Sequence, residues 1–297
     1  MAKNLHIEHP EDLILSGDLS VLDWFGAIST ISLKIDGKPA VVWGTNPENG
    51  KFFVGTKSVF NKKKIKICYT EEDIRTLYAS QPDLQSVLRG CLEFLPRTES
   101  IYQGDFIGYG GRDRYTPNTI TYAFDGPVEA SIIVAPHTVY AGDTLLSAVS
   151  SPLTETLEST EDVLFVQPTV DCTERFHTDV ESIRNSVKES KFLSPKAAAE
   201  AKIIINQFIR DGKSLSPQLV EEIVGDWNLM VSYFQILDLK EQMMDSMHIY
   251  DGPQAFIGDQ PIDCEGYVRT NKYGTLKLVD RYEFACANFN NQNFRSN

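Results

Sequence analysis

The stretch Ile31-Ser32-Leu33-Lys34-Ile35-Asp36-Gly37-Lys38-Pro39-Ala40 decides how the rest of the chain is read. Apolar and polar residues alternate from Ile31 to Asp36, the pattern of a half-buried strand. Ile31, Leu33 and Ile35 then face a core, and Ser32, Lys34 and Asp36 share the other side, because successive strand side chains point to opposite faces. An ammonium and a carboxylate on one face can address one bound group. Gly37 ends the strand and lets backbone come close to a ligand. A lysine in a walled pocket loses its proton more easily and can act as a nitrogen nucleophile. Taken alone, the simpler reading is an exposed strand lysine paired with Asp36.

Downstream, Ala40 to Gly44 and Lys51 to Lys57 flank an Asn/Pro/Asn-Gly turn and read as a hairpin. Its antiparallel arms would return Lys57 towards Lys34, placing a second cation by the same pocket, as a triphosphate site requires; an edge-strand lysine that discourages aggregation fits as well. The run Asn61-Lys62-Lys63-Lys64-Ile65-Lys66 is the densest basic segment. It reads either as a phosphate-backbone contact or as a solvated loop. Glu71 to Leu95 has helical spacing, with Thr70 as cap and Pro82 splitting it. Ser100 to Gly108 is a further strand, and a glycine inside a strand, here Gly104 beside Asp105, marks close approach of another backbone or a ligand. Thr119 to Asp125 and Ala130 to Ala135 follow as strands. His137, after Pro136, is expected in a turn with a structural role, and His6 and His9 at the surface.

From Cys172 to Tyr250 the texture becomes helical. Asp179–Phe192, Ser194–Arg210 and Ser216–Met247 read as amphipathic helices, with Ser-Pro starts and an Asp211-Gly212 stop. Ile262 to Thr270 and Thr275 to Arg281 form a last hairpin. One arm carries Glu265-Gly266 and the other Lys277.

Composition narrows the partners. The chain has 297 residues and a formal net charge of -13, so no global field draws it to nucleic acid or acidic lipid, and such contacts need a local basic patch. Five scattered cysteines without Cys-x-x-Cys spacing argue against a zinc site and a disulfide framework and fit a reducing cytoplasm. The N-terminal segment lacks the apolar core of a signal peptide, and no stretch approaches the roughly 20 apolar residues of a membrane span. The expectation is a cytoplasmic protein.

In this order the pieces resemble the covalent nucleotidyltransferase superfamily of DNA ligases, RNA ligases and mRNA capping enzymes. Lys34-Ile35-Asp36-Gly37 matches the first motif, Lys-x-Asp-Gly. Lys57 falls where a basic residue follows one hairpin later. Gly104-Asp105 matches the third motif, Tyr122 to Asp125 the strand with the base-stacking aromatic, Glu265-Gly266-Tyr267-Val268 the fourth motif and Leu276-Lys277-Leu278 the fifth. His9 to Asp12, Lys34 to Ala40, Phe52 to Lys57 and Lys277 to Arg281 are similar to an uncharacterised ligase-like family common in tailed bacteriophages, whose compartment would be the host cytoplasm. The chain departs from the pattern at Asp105, where glutamate is usual, at Pro39, where DNA ligases and capping enzymes have arginine, and at Lys277, which is single where two lysines are usual. The fourth departure, no room after the fifth motif for an OB-fold, points to the RNA-ligase branch.

The resemblance implies an α+β, ATP-grasp-like ligase core of antiparallel sheets around a nucleotide cleft, with an inserted helical subdomain. The core is expected over 1–171 and 251–297, and the insertion over 172–250. It implies ATP and Mg²⁺, Lys34 as nucleophile and Lys277 as its catalytic partner. Asp36, Gly37, Lys57, Asp105, Phe124, Glu265 and Gly266 would line the nucleotide site, with Glu265 on the metal, Asp105 on the ribose and Phe124 on the adenine. RNA or a nicked or single-stranded end would lie on Lys62, Lys63, Lys64 and Lys66, with Arg112 and Arg114. Two alternatives stay open: an adenylyltransferase acting on a protein or small molecule, and a non-catalytic nucleotide-binding or virion-associated protein.

Overall fold

In the computed structural model, which describes residues 7–174 and 176–282, the strand opened at Thr30 ends at Leu33. Thr30 to Leu33 pair antiparallel with Tyr267 to Thr270, and the Lys34 N–H adds one last bond to the Gly266 carbonyl at 2.8 Å. Beyond it the backbone donors leave the ladder. The Asp36 N–H goes to the Tyr122 hydroxyl at 2.7 Å and the Lys38 N–H to the Phe106 carbonyl at 3.0 Å. A chain whose donors are satisfied this way is no longer strand. The strand expected over Ile31 to Asp36 is therefore shorter, and Lys34 and Asp36 do not share a strand face.

The chain divides into two units at that point. Among the described residues, one holds Ile35–Pro168 and Asp251–Cys264, the other Ile7–Lys34, Thr169–Tyr250 and residues 265–282. The helical block expected over 172–250 thus shares its unit with residues 7–34 and with the last hairpin. Both units mix helices with sheets that are antiparallel except for one parallel pairing, so the protein is α+β. Among the described residues no helix is long and apolar enough to cross a membrane.

In the first unit a six-stranded sheet runs in the order Phe52–Gly55, Ala40–Thr45, Ile101–Tyr109, Ile132–Ala141 and Val149–Pro152, with Val163–Phe165 parallel to Ile132–Ala141. The expected hairpin is present, Val42 opposite Gly55. Gly50 closes its turn at φ 68°, a conformation that costs glycine little. Alternation sorts the two faces. Val41, Trp43, Val54, Tyr102, Phe106, Ile132 and Val134 pack on Val87, Leu88 and Cys91 of the helix Pro82–Phe94. Val42, Phe53, Ile101 and Tyr140 pack on Val59 and Phe60. Each such burial stabilises by about 1.5–3 kcal/mol. The helix expected from Glu71 is split as foreseen, into Glu71–Leu77, opened by a Thr70–Asp73 capping box, and Pro82–Phe94. Gly104 is packed so closely on the next strand that a Cβ there would meet the Ala135 carbonyl oxygen at 2.7 Å. His137, expected in a turn, lies inside the strand Ile132–Ala141. A smaller sheet orders Gln260–Ile262, Gln254–Ile257, Ile120–Ala123 and Arg114–Tyr115.

The second unit's sheet orders Met247–Tyr250, Thr169–Cys172, Thr30–Leu33, Tyr267–Asn271 and Gly274–Leu278, all antiparallel. Ser194 caps the helix Pro195–Arg210, its hydroxyl accepting the Ala197 N–H. The single helix expected over Ser216–Met247 is two, Pro217–Val224 and Trp227–Asp245. Gly225 takes a left-handed φ of 72° that ends the first. The Asp226 carboxylate then accepts the Leu229 N–H at 2.8 Å and starts the second. Leu229, Tyr233, Ile236, Leu239 and Met243 bury one stripe of that helix, and Lys240 lies on the same stripe, fully buried.

Candidate active site

The second unit brings together Lys34, Glu265, Gly266 and Lys277. The sheet register sets their positions. Ser32 stands opposite Val268 and Val268 opposite Lys277, so these three share a face, while Leu33, Tyr267 and Leu278 form the adjacent row on the other. Tyr267 and Leu278 are buried; Lys277 therefore lies on the face away from this core. Gly266 has φ 144°, and a Cβ there would sit 2.3 Å from the Leu278 carbonyl oxygen, so only glycine lets the chain enter the strand this close to its neighbour. The residue before it, Glu265, forms an ion pair with the Lys34 ammonium across 231 residues of sequence. Lys34 is 32% exposed and Glu265 13%, so the pair is open enough to exchange partners. The expected pairing of Lys34 with Asp36 is not the one formed. The Asp36 carboxylate accepts instead from the Asn118 amide.

Lys277 is half-buried, and its backbone N–H donates to the Glu8 carbonyl at 3.0 Å. Burial, then the Arg281 guanidinium, push its ammonium below the usual lysine range; Glu8 and Asp12 oppose this and the Lys34 charge adds to it. Lys34 and Lys277 thus lie within each other's field, and Glu265, Glu8 and Asp12 offset part of that positive charge.

Sequence reasoning missed the layer behind this group. Lys240 donates to Glu11 at 2.8 Å, Arg281 Nε lies 3.3 Å from the same carboxylate, and Arg281 Nη2 donates to Asp12 at 2.5 Å. Glu11 is fully buried. Burial works against its charge, but Lys240 and Arg281 outweigh it and hold the carboxyl down to about 2. His9, expected at the surface, packs against this network. Burial first and Arg281 second push its imidazole down to about 2, and its Nδ1 is buried without a partner. No local signal marks this layer, because the cations that face Glu11 and Asp12 come from Lys240 and Arg281, more than 200 residues along the chain. His6 lies outside the described residues.

The first unit holds the other expected residues. Gly37 lies against the strand Ile101–Tyr109: a Cβ would meet the Phe106 carbonyl oxygen at 2.7 Å and the Asp105 Cβ at 3.0 Å. The close approach it allows is thus to protein backbone. Its N–H donates to Asp105 Oδ2 at 3.4 Å, and Asp105 stands opposite Ala40 in the sheet. Phe124 follows the strand Ile120–Ala123, edge-on to Tyr115 with ring centroids 5.8 Å apart. Lys57 is exposed at the start of the 3-10 turn Lys57–Phe60. It belongs to this unit, and Lys34 to the other. Lys62, Lys63 and Lys64 are exposed in a loop, whereas Lys66 lies over the Tyr78 ring, 4.4 Å from its centroid. Arg114 likewise covers Phe256, at 4.5 Å, while Arg112 is exposed.

Among the described residues no group of three or more His, Cys, Asp and Glu side chains can hold a metal ion. Mg²⁺ is commonly held by one or two carboxylates with substrate phosphates and water. Glu265 fits that mode as a single ligand.

A profile described as a family of unknown function (DUF6267) matches residues 4–227 and 219–293, and the chain belongs to that family. No curated protein and no solved structure matches the chain.

Proposed function

We propose that the protein is an ATP-dependent, RNA-ligase-like adenylyltransferase built on a nucleotidyltransferase core, with Lys34 as its nucleophile. One observation carries this reading: Lys34 and Glu265, from two separate motif matches, form an ion pair, with Lys277 close enough to perturb. Antiparallel sheets in an α+β chain are compatible with such a core.

A lysine attacks only as the free amine. Glu265 would release the Lys34 ammonium, the nitrogen would give its proton to water, and the free amine would attack the α-phosphorus of ATP. The P–N bond to Lys34 forms as the P–O bond to pyrophosphate breaks. Negative charge gathers on the phosphoryl oxygens, and Lys277 would lie beside it. Mg²⁺ would add Lewis-acid charge stabilisation there, with Glu265 as its protein ligand. Asp105 and Phe124, to which the resemblance gives the ribose and the adenine, belong to the first unit. AMP would then pass from Lys34 to an acceptor, and the exposed Lys62 to Lys64 loop makes a 5′-phosphorylated RNA end the first to try. The -13 net charge favours the second reading, in which the acceptor is a protein or small molecule.

The test is labelling with α-labelled ATP and Mg²⁺, followed by denaturation. Wild type should carry label on the polypeptide, Lys34→Ala none, and Glu265→Gln on the order of 100-fold less per unit time, the scale seen when one charge-stabilising group is lost. Absence of label on protein whose Lys34 is unmodified by mass spectrometry would overturn the reading. Label without transfer to RNA would favour the protein or small-molecule acceptor.

A further inference from the structure

The first unit holds a cavity of about 550 Å³ that the proposed chemistry leaves unused. Three segments of that unit meet around it: Lys38 and Pro39 ahead of the strand Ala40–Thr45, the start of the helix Pro82–Phe94, and Pro117 ahead of the strand Ile120–Ala123. None of the residues that the resemblance gives to the nucleotide lines it. Its volume is that of an ordinary small-molecule site.

Much of the wall is apolar, and it is held in place. Pro39, Pro82 and Pro117 present closed rings without an N–H, and Leu84 and Val87 of the helix add to them. The backbone at Pro39 is pinned twice to one residue. The Lys38 N–H donates to the Phe106 carbonyl, and the Phe106 N–H to the Pro39 carbonyl, both at 3.0 Å. On the helix side the Gln81 N–H and the Gln85 side-chain amide both donate to the Tyr78 carbonyl at 2.9 Å. Walls fixed in this way do not have to be ordered by the ligand.

Two charges stand on the same lining. Lys38 and Asp83 are both exposed, and among the described residues neither has an ion-pair partner, the other included. Asp83 suits the first turn of its helix through the dipole, but the dipole accounts for neither Lys38 nor the three prolines. A cation and an anion, unpaired beside one apolar cavity, complement a molecule with a carboxylate, an ammonium and an apolar body. A plain anion would gain from Lys38 and lose to Asp83, and a plain cation the reverse.

We propose that this cavity binds a small zwitterion with an apolar body, the chemistry of a free aromatic amino acid, with the carboxylate at Lys38 and the ammonium at Asp83. The inference goes beyond the adenylyltransferase reading and does not depend on it.

The experiment is a ligand-observed NMR titration of the full chain with L-tryptophan, with tryptamine, which lacks the carboxylate, and with indole-3-propionate, which lacks the ammonium. Wild type, Lys38→Gln and Asp83→Asn are compared. Wild type should bind tryptophan more tightly than either analogue. Because both charges are exposed, each substitution should weaken tryptophan roughly 2- to 5-fold. Lys38→Gln should not weaken tryptamine, and Asp83→Asn should not weaken indole-3-propionate. A substitution that weakens all three ligands alike would show lost shape in place of charge recognition and would overturn the proposal. So would indole-3-propionate binding more tightly than tryptophan, tryptophan binding that neither substitution changes, or no binding of tryptophan in the millimolar range.

Discussion

The imidazole of His9 is held down to about 2 from its ordinary 6.5, by burial and then by Arg281. An unfolded chain therefore takes up a proton below 6.5 that the fold refuses, and stability rises with pH until that value is passed. Glu11 acts in a lower window. Its carboxyl is depressed from 4.5 to about 2, so its contribution is complete above 4.5 and is lost as pH falls towards 2. Asp12, whose carboxyl burial pushes up, works the other way, so His9 is read as a difference: between pH 6.5 and 4.5 the melting temperature should fall more steeply in the wild type than in His9→Gln. A slope unchanged by the substitution would exclude His9 as its source. Neither residue's setting was legible in the sequence, because burial by segments more than 200 positions away leaves no local mark. Lys34 shows the same limit. Local alternation paired it with Asp36, and the resemblance gave Glu265 a place on the metal, whereas Glu265 is the ion-pair partner of Lys34.

Elements were legible where a residue's own backbone preference sets a boundary. Thr70 with Asp73, Ser194 and Ser216 start helices as expected, since a side-chain oxygen that satisfies a free N–H acts locally. The Gly225-Asp226 break carries the same kind of signal, but the apolar periodicity running through Ser216–Met247 conceals it. Both residues should matter for that reason. Gly225→Ala places a Cβ at φ 72° and should cost about 1–2 kcal/mol, and Asp226→Ala about 1 kcal/mol through the lost cap. Urea midpoints would measure both, and a neutral Gly225→Ala would mean that the turn relaxes out of the left-handed region. The end of the strand at Leu33 had no such marker. Ile35 continues the alternation although it belongs to the first unit, and the ladder stops because Tyr122 and Phe106 take the next donors. Likewise, a one-residue bulge carries His137 to Asp105, and a bulge cannot be read from one strand's pattern without its partner.

On the scale of the whole chain, pairings far apart in sequence make each unit, and this is where the sequence was least informative. Thr30–Leu33 finds its partner at Tyr267–Thr270, so the helical block reads as an insertion in sequence while sharing a unit with both. Within that unit the buried charges tie three remote segments together: Glu11 and Asp12 near the start, Lys240 on the long helix, and Arg281 after the last strand. The arrangement has a specific energetic consequence. A buried ion pair contributes little net stability against apolar residues of the same volume, but removing one partner strands the other charge at about 3–5 kcal/mol. Lys240→Met should therefore destabilise the protein by about that much, with Glu11 keeping only Arg281. Glu11→Leu added to it removes the stranded carboxylate, and Arg281 retains Asp12. The double variant should then recover most of the loss in urea midpoint. A double variant no more stable than Lys240→Met would show instead that the network is needed intact, each charge positioning the next along the edge that carries Lys277.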